Sequence, residues 1–172
     1  MHIASLRSDQ KAVSATLTGG FMEDKIFDPL KKKYSLPDFS ILDSEFDLYT
    51  IEYECYFLRS IRHKMVERIE SITKMFDQVL HPEAGFSAYR EANIFTDKDR
   101  EDIINLYRRL MYFHRLSTEL DFNSSEAADA KFINDFMKEW SVLKKQILAY
   151  VVRMKDSWQK DISKKEVVGY LG

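Results

Sequence analysis

Two groups of basic side chains in this sequence could handle a phosphate. Arg59, Arg62, His63, Lys64 and Arg68 fall within about three helical turns and are opposed only by Glu67. Arg108, Arg109, His114 and Arg115 form the second group. If the two groups reached similar heights on antiparallel helices, they would make a groove able to bind an anion or an RNA backbone. The competing expectation is that both are solvated faces, paired with acids such as Glu67 and Glu119.

Within the second group, Arg109-Leu110-Met111-Tyr112-Phe113-His114 has the form Arg-x4-His. This spacing resembles the motif of the HEPN family, all-α domains that often dimerise and include metal-independent ribonucleases. The resemblance implies that Arg109 and His114 act on a scissile phosphate, one stabilising charge and the other moving a proton. It covers these six residues, and Leu110 stands where the family often carries a polar residue.

Other chemistries find fewer of their parts. A di-metal helical bundle needs Glu-x-x-His on two helices, and none of His2, His63, His81 and His114 follows a Glu by three positions. The spacings of zinc sites and calcium loops do not occur. Gly19-Gly20 is not followed by the Lys-Ser or Lys-Thr of a phosphate-binding loop, and there is no Gly-x-Ser-x-Gly elbow. Cys55 sits between Glu54 and Tyr56, with no adjacent base or cation to make a thiolate. No metal or cofactor is expected, and a non-enzymatic role comes first.

The elements that must position these residues are helices. Apolar positions Leu48, Ile51, Cys55, Leu58, Ile61, Met65, Ile69, Ile72, Phe76 and Val79 recur every three or four residues. They predict one helix from about Asp38 or Asp43 to Leu80, ended by His81-Pro82 and Gly85. Thr96 with Asp99 resembles a capping box and opens a second helix that ends near Phe122. A third helix begins near Ser125-Glu126 and reaches about Trp158.

Before these, Val13, Ala15 and Leu17 alternate with Ser and Thr, which predicts an extended arm. A short helix from Phe21 to Tyr34 follows, disturbed by Pro29. The predicted fold is all-α, an elongated antiparallel helical bundle with three long helices and an N-terminal extended arm. It is read as one helical domain over residues 1–172, with the arm and short helix in 1–36 and the bundle in 37–172.

A net charge of −2 predicts no general attraction to nucleic acid or to an anionic membrane. No apolar run approaches the roughly 18 residues of a membrane span. With a single cysteine and no basic and apolar leader, the expected compartment is the cytoplasm. The second predicted helix is shorter than the first and leaves part of it uncovered, so a second chain is an expected partner. Tyr49, Tyr53, Tyr56 and Phe57 add apolar surface beside the first stripe and are the expected partner-binding residues. The leading expectation is therefore a bundle that works by protein–protein contact, self-association first. The alternative is a nucleic-acid-binding or HEPN-like domain that uses Arg59, Arg62, His63, Arg108, Arg109 and His114.

Overall fold

The computed structural model describes residues 26–51, 56–82, 85–123 and 125–160. Among these the protein is an all-α helical bundle. Helices α1 (Asp28–Tyr34) and α2 (Phe39–Phe46) precede a single 3-10 turn, Leu48–Thr50. Then follow α3 (Phe57–Leu80), α4 (Phe86–Ala92), α5 (Asp97–Phe122) and α6 (Glu126–Ser157). The extended arm expected at the N-terminus lies outside the described residues, as do Tyr53 and Cys55.

The single helix expected from Asp38 or Asp43 to Leu80 is interrupted. Asp47 adopts the left-handed conformation at φ 55° and ends α2, with its N–H donating to the Asp43 carbonyl at 2.8 Å. The Asp43 carboxylate then accepts the Tyr49 N–H at 2.8 Å, and the Thr50 hydroxyl donates to the Asp47 carbonyl at 2.7 Å. Short polar side chains offer the backbone partners other than the helical ladder, and here those partners win. Pro29 also behaves differently from expectation. It sits in the first turn of α1, where its missing N–H costs nothing, and so begins a helix rather than disturbing one.

Two compact units are built from these elements. One comprises the described residues within Met1–Met65 and Glu119–Met137, the other those within Val66–Thr118 and Lys138–Gly172. In the first unit, Phe27, Phe39 and Phe57 are buried against one another, with ring centroids 5.3–6.4 Å apart. Phe136 packs on Phe132 at 6.2 Å and on Phe46 at 6.1 Å. Helix α1 is fixed to α6 by Tyr34, whose hydroxyl donates to Glu126 at 2.8 Å, while its carbonyl accepts from Asn134 at 3.0 Å.

In the second unit, α5 runs antiparallel to both of its long neighbours. Glu70 meets His114, and the Val79 carbonyl accepts from Arg100, so α3 and α5 count in opposite directions. Glu139 meets Arg109 and Arg153 meets Asp99, which gives the same relation between α5 and α6. The core between them holds Ile69, Phe76, Val79, Ile103, Leu106, Leu110, Phe113, Leu143 and Ile147. Removing such side chains from water is worth about 1.5–3 kcal/mol each. Helix α4 is attached through buried Arg90, whose guanidinium donates to the carbonyls of Ser157 and Lys160 at the end of α6, both at 2.7 Å. A cation suits a helix C-terminus, where unpaired carbonyls concentrate negative charge.

The predicted capping box forms. The Thr96 N–H and hydroxyl donate to Asp99, and the Asp99 N–H donates back to the Thr96 hydroxyl at 3.2 Å. Arg153 adds two bonds to the same carboxylate, at 2.6 and 2.8 Å. The Arg153 guanidinium, followed by the Thr96 donors, holds the Asp99 carboxyl well below the usual carboxylate range. A carboxyl lowered by folding contributes stability that is fully present above its unfolded value, about pH 4, and lost as pH falls through the folded value. Asp99→Asn is therefore expected to lower the melting temperature at neutral pH and to weaken its fall below about pH 4. Thermal unfolding of both proteins across an acid series checks this. Parallel acid limbs would show that Asp99 contributes no such linkage.

Candidate docking surface and the basic clusters

Arg62 lies on the apolar side of α3, four residues after Leu58 and three before Met65. Its side chain is fully buried in the first unit. Nε donates to Asp129 at 2.7 Å and Nη2 to Asp121 at 2.6 Å, while His63 Nε2 lies 2.9 Å from the same Asp121 oxygen. Burial pushes the Asp121 carboxyl up, but hydrogen bonds from His63 and Arg62 outweigh it, so the carboxyl titrates below its ordinary value. Arg62 is thus a structural cation held by carboxylates, out of reach of an external phosphate. Arg59, half-buried, places its guanidinium 4.6 Å from the centre of the Tyr56 ring.

The Arg-x4-His residues belong to the second unit and point to different helices. Five residues along a helix correspond to roughly 140° of rotation. Arg109 accordingly donates to Glu139 on α6, at 3.2 Å from Nε and 2.9 Å from Nη2, and reaches Gln146 at 3.4 Å. His114 turns to α3, with Nε2 2.9 Å from Glu70. Within one chain the two do not share a point where a phosphate could meet both. Arg108 is exposed and lines a shallow groove with Asn105, Arg109, Tyr112 and Glu139.

The expected aromatic contact residues also separate. Tyr49 and Tyr56 are 62% and 63% exposed. Phe57 is buried, stacked on Phe39 with centroids 6.4 Å apart, and is core of the first unit rather than surface. Its neighbour Tyr56 is turned outward by the start of α3.

A surface that the sequence reasoning missed lies on the outer side of α6 in the second unit. Val142, Leu148 and Val152 are 52%, 56% and 40% exposed, while Trp140, Leu143, Ile147 and Met154 on the opposite side are buried. The helix carries two stripes. The outward one is interrupted by Lys145 and Ala149, so the inward stripe masks it in the sequence.

Among the described residues no group of three or more His, Cys, Asp or Glu side chains could hold a metal ion. No described helix is long and apolar enough to cross a membrane. Comparison with protein-family models, curated proteins and solved structures finds no match to this chain.

Proposed function

We propose that this protein is a non-enzymatic docking module that works by contact with another protein chain, a second copy of itself first. The observation that supports this reading is the outward aliphatic stripe of α6. Three large apolar side chains on the outward side of α6 are left 40–56% exposed, while Trp140, Leu143, Ile147 and Met154 of the same helix are buried. Scattered exposed apolar residues are ordinary, but three of them on the outward side of one helix favour a partner. Tyr49 and Tyr56 give the first unit accessible aromatics of the kind enriched in interface cores.

The nucleic-acid reading draws on Arg108 and Tyr112, both exposed on α5. Cleavage by one chain would need Arg109 and His114 on one phosphate, and their carboxylate partners hold them toward different helices. Docking is therefore the preferred function.

Light scattering over a dilution series tests it. The wild-type mass is expected to approach two chains at high concentration and to fall toward one on dilution. Leu148→Glu, a surface substitution, is expected to shift the midpoint to higher concentration by about tenfold, the equivalent of ~1.4 kcal/mol. A single-chain mass persisting to about 1 mM, where even ~4 kcal/mol of association would register, rules out self-association.

A further inference from the structure

The outward side of α6 has a pattern that selects its own partner and the direction of pairing. Lys138, Val142, Lys145, Ala149, Val152 and Asp156 are all exposed. They follow one another by steps of four, three, four, three and four. Alternating steps of this kind keep residues on one seam of a helix, the arrangement by which two helices interlock side by side. Reversing the series about the level of Ile147 maps it onto itself: 138 exchanges with 156, 142 with 152 and 145 with 149.

We infer that two copies of this chain pair antiparallel through the outer faces of their α6 helices, about a two-fold axis at the level of Ile147. The inference rests on the self-association reading and adds its surface, direction and register. Antiparallel pairing sets Lys138 against the partner's Asp156 at both ends of the seam. Val142 then meets the partner's Val152 twice, inside those ends. Lys145 falls beside the small Ala149, which leaves room for its stem to cross the seam and keep the ammonium in water.

Parallel pairing would instead set Lys138 on Lys138 and Asp156 on Asp156, like charges at both ends. Charge thus chooses the direction, while the valines supply the apolar contact. Asp156 already has Lys155 at 3.0 Å, and both side chains are at least half exposed, so this local pair does not cover the seam. The seam spans roughly 27 Å of helix, at 1.5 Å per residue. With two valine pairs as its apolar contact, the seam is small beside a permanent interface, so the pair should separate on dilution.

The test is a charge exchange in the full chain, read by sedimentation velocity, with circular dichroism to confirm retained helix. Lys138→Glu alone and Asp156→Lys alone each place like charges at both ends of a homodimer. Each is expected to weaken self-association by about tenfold. Mixed in equal amounts, the two variants place opposite charges at both ends of a heterodimer, and association is expected to return to the wild-type level. Wild-type association that ignores both reversals overturns the register while leaving self-association intact. So does weakening in both variants without recovery in the mixture. A wild-type chain that stays single throughout overturns both readings.

Discussion

Replacing Arg62 with Ala is expected to destabilise the protein by about 3–5 kcal/mol. The size of the effect comes from what is left behind rather than from the ion pair itself. Arg62 is fully buried and Asp129 is 5% exposed, so truncation strands a carboxylate with neither its cation nor water. Asp121, the other partner, is 45% exposed and can be rehydrated. Asp121→Ala should accordingly cost about 1 kcal/mol or less. Changing both members of the buried pair, as in Arg62→Met with Asp129→Leu, should recover much of the loss, because no charge is then buried. Urea unfolding of the four proteins measures these differences. A loss below about 1 kcal/mol for Arg62→Ala would mean that Asp129 finds water or another donor.

Phe136→Ala is the second large effect, also about 3–5 kcal/mol. The ring is fully buried, lies nearly parallel to Phe132 with an interplanar angle of 14°, and touches Phe46 from α2. Two aromatic neighbours fixed by separate helices cannot both collapse into the space it leaves, so a cavity adds to the lost transfer energy. Phe122, 90% exposed near the end of α5, is the contrasting site, and Phe122→Ala should stay within about 0.5 kcal/mol of wild type. The same urea curves distinguish the two, through a shifted midpoint with an unchanged slope. Equal effects at the two positions would contradict the packing described.

Helix ends defined by local chemistry were legible in the sequence, and ends defined by competition were not. Thr96 with Asp99 announced the start of α5, and Ser125 the start of α6, where its hydroxyl accepts the Ala128 N–H at 3.2 Å. The break at Asp47 was not legible, because Leu48 and Ile51 keep helical spacing even though Asp47 is left-handed, Leu48–Thr50 form a 3-10 turn and Ile51 is extended. Periodicity records which side is buried, and a 3-10 turn can bury the same side. Helix α4 was missed because seven residues are too few to show a period.

The basic clusters carry a similar lesson. Arg62 continues the series Leu58, Met65, Ile69 in steps of four and three, so its burial could have been read from position. Residue type suggested a phosphate ligand, and position was the better guide. Asp121 and Asp129 could not have been chosen from the sequence, because only the packing of α3 on α5 and α6 in the first unit selects them from the chain's 28 acidic residues.

Arg90 links the fates of two distant segments. Its guanidinium holds carbonyls that lie 67 and 70 residues further along the chain. The last turn of α6 therefore cannot fray alone, since releasing Ser157 and Lys160 would leave a buried cation without those acceptors. Helix α4 cannot lift away alone either, for the same reason in reverse. Opening at one place requires opening at the other, so the two segments form one cooperative exchange unit whose amides gain or lose protection together.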